Sequence, residues 1–159
     1  MAISHVQPLL LLLASLFFLP VLRAIRFGYC NDNNGYDFGN ITRVTINAKD
    51  YDTTIFIYGT ASKSLQEGTV LVVLMIGRGE PIDMRFYRLS EVAKVLPIKP
   101  GSNFVLTLTK VPFQDSLTYD EITVNLYDDN GESDHGEKIE IMCINFNPYS
   151  SITSTSLSE

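Results

Sequence analysis

The sequence has few of the residues on which catalysis commonly depends. It contains no tryptophan, two cysteines and two histidines, and one of these, His5, lies in an apolar N-terminal segment. It has no Gly-X-Ser-X-Gly nucleophile motif, and the stretch GRGE (77–80) lacks the third glycine and the following helix of a dinucleotide-binding loop. We therefore expect a protein that is not an enzyme and that carries no cofactor or metal.

A second long apolar run is also missing after the N-terminal segment. The stretch PLLLLLASLFFLPVL (8–22) is shorter than the roughly 20 apolar residues of a membrane span and has the length of a signal-peptide core. Residues 1–24 are predicted to be a signal peptide cleaved after Ala24; a signal anchor is the alternative. The expected location is the secretory pathway, either the extracellular space or apoplast, or an endomembrane lumen such as the ER or vacuole.

The charge balance is acidic and unevenly distributed. Without Arg23 of the predicted leader, the net charge falls from −6 to −7, which disfavours nucleic acid as a partner. From Arg78 to Lys110, however, six basic residues face three acidic ones, whereas the range 115–140 holds nine acids and one lysine. The basic segment could face anionic lipid headgroups. A mixed, merely solvated surface is the alternative.

The two cysteines are predicted to form one disulfide, Cys30–Cys143, because a secreted chain with a single pair usually closes it. The chain-entropy model gives so long a loop a stabilisation of about 4 to 5 kcal/mol. The sequence Asn40-Ile41-Thr42 is an N-glycosylation acceptor, which agrees with the secretory route.

Strand patterns dominate the rest of the chain. Short segments rich in β-branched and aromatic residues are separated by turn residues, without strand–helix alternation, and they cover 43–48, 53–60, 69–77, 82–89, 103–109, 119–127 and 139–147. This pattern predicts an all-β, immunoglobulin-like antiparallel β-sandwich of about seven strands over residues 25–149. An antibody-type domain is disfavoured, because there is no tryptophan. Residues 150–159 form a Ser/Thr-rich tail that we expect to be disordered.

Two predicted strands, 69–77 and 139–147, are apolar on both faces, whereas a half-solvated strand alternates. A filled core and a pair of sheets held apart by a hydrocarbon guest predict the same pattern. The acidic stretch 128–137 contains Asp129-Asn130-Gly131, which favours a hairpin turn over a calcium loop, since strands flank it.

The order of several motifs resembles the ML lipid-recognition family. Cys30 precedes a Gly-Thr-Ala element (59–61) and EGTVLVVL, and these are followed by LPIKPGSNFVL (96–106), VPFQDSLTYDEITVNLYDDNGE (111–132) and IMCINF (141–146). The plant branch, which resembles phosphatidylglycerol/phosphatidylinositol transfer proteins and the Niemann–Pick type C sterol carrier, is most similar. Leu96 departs from the family pattern, since many relatives carry a paired cysteine there.

The resemblance implies an apolar cavity between the two sheets that binds a sterol or a phospholipid. The inward alternates of the middle strands are predicted to line it: Ile55, Ile57, Val72, Leu74, Met84, Phe86, Phe104, Leu106, Ile122, Val124 and Leu126. Arg88 and Lys99 are predicted to contact the headgroup. The expected function is lipid carriage or presentation, with transient membrane contact and a membrane-protein partner. The alternative is a secreted protein-interaction module with a filled core.

Overall fold

The computed structural model describes residues 23–31, 35–49, 52–112, 119–132 and 138–151. These residues form eight strands and one short helix, α1 (Leu89–Val92). The strands are β1 (Arg23–Tyr29), β2 (Gly39–Lys49), β3 (Asp52–Ala61), β4 (Val70–Gly77), β5 (Glu80–Arg88), β6 (Asn103–Pro112), β7 (Glu121–Glu132) and β8 (Lys138–Ser151).

All strand pairs are antiparallel, and the strands follow the order β5-β4-β7-β8-β1-β2-β3-β6. β1 connects the two halves of this order. Arg23 to Ile25 pair with β2. Ile25 and Phe27 to Tyr29 pair with β8, and the register of the β8 pairing shifts between Ile25 and Phe27. The curled sheet therefore forms two layers, β5-β4-β7-β8 and β2-β3-β6, joined along β1.

The core lies between these layers, because each layer turns one apolar face inward. Directly paired residues share a face of the sheet, so apolar side chains form rows across the strands. Two such rows are Leu71–Leu126–Met142 in the first layer and Val44–Ile57–Leu106 in the second. Each of these six side chains is at most 1% exposed.

The hairpin between β4 and β5 sets the position of an edge strand. Its two connecting residues, Arg78 and Gly79, have φ values of 56° and 81°. Positive φ at both central residues defines the type I′ turn, whose twist matches that of the flanking strands. β5 consequently lies antiparallel to β4 at one end of the strand order.

The predicted disulfide is confirmed. Cys30 and Cys143 are bonded, with their Cα atoms 5.4 Å apart, and the Cys30 N–H donates a hydrogen bond to the Cys143 carbonyl oxygen at 3.2 Å. The bond fixes the end of β1 to β8, and Cys143 is 3% exposed. This explains why β8 is apolar on both faces, since its outward side includes a buried disulfide.

The all-β antiparallel prediction is confirmed, with eight strands instead of about seven. The additional strand, β1, begins two residues before the predicted cleavage point, so the sequence pattern assigned its start to the leader. β8 continues to Ser151, into the stretch predicted to be a tail. The remaining calls on the leader (1–22), the tail (152–159) and part of the acidic hairpin (133–137) lie outside the described residues. No helix within the described ranges is long and apolar enough to cross a bilayer.

Candidate functional site

The interior between the layers is the first candidate site, and it is lined by aliphatic and aromatic side chains. The structure places in this interior seven of the eleven predicted lining residues, each at most 6% exposed: Ile55, Ile57, Phe104, Leu106, Ile122, Val124 and Leu126. Five of these seven have 0% exposure, so no water-sized space adjoins their side chains. The layers are in close contact at these positions.

The structure places the other four predicted residues on the opposite face. Val72 pairs with Phe86 and Leu74 with Met84, so these side chains point away from the core. Phe86 is 66% exposed and Met84 45%, whereas Val72 and Leu74 are half-buried. The inward assignment of these four is corrected here. β4 is apolar on both faces, so alternation could not fix its orientation, and a shift of one residue exchanges the faces.

The inward face of β4 consists of Leu71, Val73 and Met75, all 0% exposed. Their partners on β5 are Tyr87, Arg85 and Asp83. One edge of the interior is therefore polar.

The guanidinium of Arg85 lies 3.3 Å from the Asp83 carboxylate. The Tyr87 hydroxyl donates a hydrogen bond to the Thr109 carbonyl oxygen on β6 at 3.1 Å. Burial raises the pKa of Tyr87, and the nearby Arg85 charge opposes that rise. Polar groups thus line the place where β5, at one end of the strand order, faces β6 at the other.

Residues 89–99 cover the adjacent part of this edge. Leu89 and Val92 of α1 are buried, and Ala93 forms an isolated antiparallel bridge with Leu106 of β6. Ile98 forms a second such bridge with Leu65. Between this segment and β6 lies an apolar pocket of about 480 Å³. We call it the edge pocket.

Phe104 connects the edge pocket to the interior, because its ring lines the pocket and also packs in the core. Lys94 and Lys99 lie at the pocket beside Val95, which is 74% exposed. The structure thus places Lys99, a predicted headgroup residue, at an apolar pocket. Arg88 is exposed at the end of β5 and is not among the pocket residues. Sequence reasoning missed Lys94, although it belongs to the same basic segment.

A second pocket, of about 520 Å³, adjoins the edge pocket, because Leu65 in its lining forms the bridge with Ile98, and its lining is more polar. The Tyr36 hydroxyl donates a hydrogen bond to Glu140 Oε1 at 2.9 Å. Burial and this bond raise the pKa of Tyr36 to about 12. Lys63 Nζ and Asp37 Oδ2 are 3.3 Å apart at the same pocket. The polar lining distinguishes this pocket from the edge pocket.

The predicted glycosylation residue, Asn40, lies on β2. Its Oδ1 atom accepts a hydrogen bond from the Tyr29 hydroxyl at 2.9 Å, and that hydroxyl also accepts one from the Ile41 N–H at 2.8 Å. Only the first of these bonds involves Asn40, through its side-chain oxygen. Attachment of a glycan to its nitrogen stays a prediction.

Fold and site define a class of β-sandwich proteins that are closed by a disulfide and have an apolar interior next to an apolar pocket. No protein-family model matches the chain. It is 42% identical over 131 residues to the MD-2-related lipid-recognition protein 3 of Arabidopsis thaliana, covering 76% of this chain and 77% of the relative. It is also 35% identical over 116 residues to the Arabidopsis thaliana MD-2-related lipid-recognition protein ROSY1, covering 70% of each. The chain belongs to the MD-2-related lipid-recognition family.

Two solved structures are also similar to the chain. One is a Niemann-Pick type C2 protein from Japanese carpenter ant, with 16% identity and a TM-score of 0.47, covering 76% of this chain and 96% of that one. The other is chicken MD-1 complexed with lipid IVa, with 9% identity and a TM-score of 0.44, covering 81% and 96%.

Proposed function

We propose that this protein binds a single lipid, a sterol or a phospholipid, with its apolar part between the two β-layers and its polar group at the edge pocket. The edge pocket carries the proposal, because it combines an apolar lining, contact with the core through Phe104, and two lysines. The names of both curated relatives describe lipid recognition. Binding and carriage require no bond to be made or broken, so the proposed role is not catalytic.

The driving force is removal of hydrocarbon from water. Burial of roughly 400 Å² of apolar lipid surface gives a gross gain of about 10 kcal/mol at 25 cal/mol per Å². Ordering of the ligand and the side chains reduces this gain. Since side chains fill the interior, the lipid displaces contacts between layers, and the net affinity depends on how little that separation costs.

The route by which the lipid enters follows from the positions of β5 and β6 at the two ends of the strand order. Among the described strand pairs, β5 and β6 do not pair with each other. The Tyr87–Thr109 hydrogen bond and the short covering segment 89–99 connect them instead. Separating these edges costs fewer backbone hydrogen bonds than separating any paired strands. The acyl chain or sterol ring therefore enters between β5 and β6, beside the edge pocket.

Lys94 and Lys99 give the pocket a preference for an anionic or strongly polar group. Both are exposed, and neither forms an ion pair with any other described residue. A headgroup phosphate placed here contacts two ammonium groups while its acyl chains follow Phe104 inward. The predicted route through the secretory pathway would bring the protein to membranes from their lumenal or outer side.

The test begins with protein secreted from a eukaryotic host, followed by solvent extraction and mass spectrometry of bound lipid. We expect one lipid per chain and saturable displacement by a fluorescent sterol or phospholipid. The Lys94→Glu/Lys99→Glu variant should lose affinity for anionic phospholipid. Lys110→Glu, on β6, makes half of that charge change outside the pocket lining and should retain it.

One observation favours a second function. The zero exposure of the innermost side chains is what a filled core shows, and a filled sandwich could act as a secreted protein-interaction module. Absence of bound lipid, together with no saturable uptake of sterol or phospholipid, would favour this module and reject the lipid proposal.

A further inference from the structure

The outward face of β5 exposes three large apolar side chains. Ile82 is 50% exposed, Met84 45% and Phe86 66%. Half-buried Val72 and Leu74 of β4 extend the same surface, because they pair with Phe86 and Met84. We call these five residues the β5 face. A contiguous exposed apolar surface on a protein usually marks a site of interaction.

The exposed edge of β5 is protected against pairing with another strand. Pro81 has no N–H to donate. The Met84 N–H donates to its neighbour Asp83 Oδ1 at 2.7 Å, and the Arg88 N–H donates to Glu91 Oε2 at 3.0 Å. The register of β4 and β5 also shifts opposite Ile82, which indicates a bulge. Proline, bulges and charged side chains are devices that prevent strand addition.

The protected edge of β5 disfavours a β-strand of another protein as the partner of the β5 face. A partner strand would need the backbone donors that Asp83 and Glu91 already satisfy. The protruding side chains themselves need only an apolar medium. A bilayer surface supplies that medium and requires no backbone hydrogen bonds.

The charges around the β5 face indicate that the bilayer is anionic. Arg78 lies in the turn before β5, Arg88 ends the strand, and Lys94 and Lys99 follow at the edge pocket. These four are exposed, and none forms an ion pair with a described residue.

Two of the three acids in the basic segment already have partners. Asp83 pairs with Arg85, and Glu91 accepts the Arg88 N–H. Protruding apolar side chains bordered by cations suit an anionic interface, where buried apolar area and electrostatic attraction add.

We propose that the β5 face docks on the surface of an anionic bilayer, with Phe86 and Met84 inserted at the headgroup–acyl boundary. The contact places the edge pocket next to the membrane, so a lipid passes between bilayer and protein without crossing water. The role of this contact in lipid transfer rests on the proposed lipid binding. Vesicle docking itself is measured independently of lipid uptake.

The absence of tryptophan from the chain permits a clean test. Phe86→Trp introduces a single indole on the β5 face, and Ile139→Trp introduces one at a matched site, 44% exposed, on β8. With vesicles of phosphatidylcholine and phosphatidylglycerol, we expect the Phe86→Trp emission to shift to the blue and to be quenched by brominated acyl chains. The Ile139→Trp emission should not change.

A binding measurement completes the test. Phe86→Glu should weaken partitioning to the anionic vesicles by about tenfold or more, since it removes an inserted ring and adds a repelled charge. Wild-type binding should weaken as salt rises. Uptake of a short-chain lipid in vesicle-free solution should be unchanged in Phe86→Glu, which also shows that the variant is folded.

The outcomes separate the two proposals. Equal vesicle binding by wild type and Phe86→Glu, or no spectral change at position 86, overturns the docking proposal. Concentration-dependent dimerisation that Phe86→Glu abolishes, without vesicle binding, also overturns it and assigns the face to a second copy. Vesicle docking without lipid uptake in solution supports the docking face and rejects the proposed function.

Discussion

The hydroxyl of Tyr87 lies 3.1 Å from the carbonyl oxygen of Thr109, and this hydrogen bond joins β5 and β6, the two ends of the strand order. The layers meet along this edge through side chains and the segment 89–99, not through strand pairing. On the opposite side, β1 connects the layers through backbone pairing. The molecule therefore has one side joined by backbone pairing and one side joined by side chains and a covering segment.

Tyr87→Phe should weaken the connection between β5 and β6. Loss of one hydrogen bond is expected to lower the free energy of unfolding by about 1 kcal/mol. It should also speed the exchange of bound lipid. Urea unfolding and stopped-flow displacement of a fluorescent lipid measure the two effects.

Tyr58→Phe is the control for this variant, because the Tyr58 ring stacks with Arg43 while its hydroxyl has no hydrogen-bond partner among the described residues. Exchange rates that are the same in both variants would contradict a role for Tyr87 in closing the edge.

Removal of the disulfide should destabilise the whole fold. The Cys30–Cys143 bond spans 113 residues, and loss of so long a loop constraint costs about 4 to 5 kcal/mol by the chain-entropy model. Cys30→Ala/Cys143→Ala should therefore unfold at much lower urea than the wild type. A midpoint that matches the wild type would show that β1 is held by its strand pairing alone.

Stability should fall at high pH because of Tyr36, whose pKa is raised to about 12 by burial and its bond to Glu140. An unfolded tyrosine ionises near pH 10. The contribution is thus fully present below pH 10 and is lost as pH rises through about 12. Tyr36→Phe should flatten this part of the stability profile.

Tyrosinate absorbance of the folded protein measures the same group directly. The high-pH phase assigned to Tyr36 should be missing in Tyr36→Phe. A phase that persists in the variant would show that another tyrosine, such as Tyr127, produces it.

Gly59→Ala should destabilise the second layer near the edge pocket. A Cβ atom there would lie 2.5 Å from Phe104 Cζ and 2.7 Å from the Asn40 carbonyl oxygen. The ring can move, but the backbone oxygen is fixed by strand pairing, so we expect a loss of about 1 to 3 kcal/mol. Displacement of Phe104 should also weaken lipid binding.

Gly28→Ala is the matched control, because its Cβ would meet only the side-chain oxygen of Asn145, at 3.0 Å. Thermal unfolding of the two variants compares them. Equal melting temperatures would mean that the second layer adjusts more easily than its strand register indicates.

The sequence predicted the strand composition well, because alternation and turn residues are local signals. The segment 103–109, for example, alternates, and Phe104, Leu106 and Leu108 are all buried as the pattern indicates. β1 was missed because its residues directly follow a long apolar run. One of its two partner strands, β8, lies more than a hundred positions away, which local patterns do not contain.

The candidate site was less predictable. On β4 every residue from Val70 to Ile76 is apolar, so only the register with β5 and β7 identifies the inward face. On β5 the polar residues Asp83, Arg85 and Tyr87 occupy the inward side, which reverses the usual rule for a half-buried strand. The rule does not hold for edge strands, because the inward side chains of an edge strand reach solvent around the edge.

The position of the bound lipid is the central claim, and the methionines report it directly. The chain has four, of which Met1 lies in the predicted leader. Met75 and Met142 are interior, at 0% and 1% exposure, whereas Met84 lies on the β5 face. Methyl NMR of the mature protein therefore offers three reporters at two kinds of site.

The measurement adds a soluble phospholipid with a spin label on its acyl chain and records the three methyl signals. Our account predicts that Met75 and Met142 broaden at one equivalent, and more strongly than Met84 in the absence of vesicles. Saturable binding that leaves both interior signals unchanged would place the lipid outside the sandwich and contradict the account.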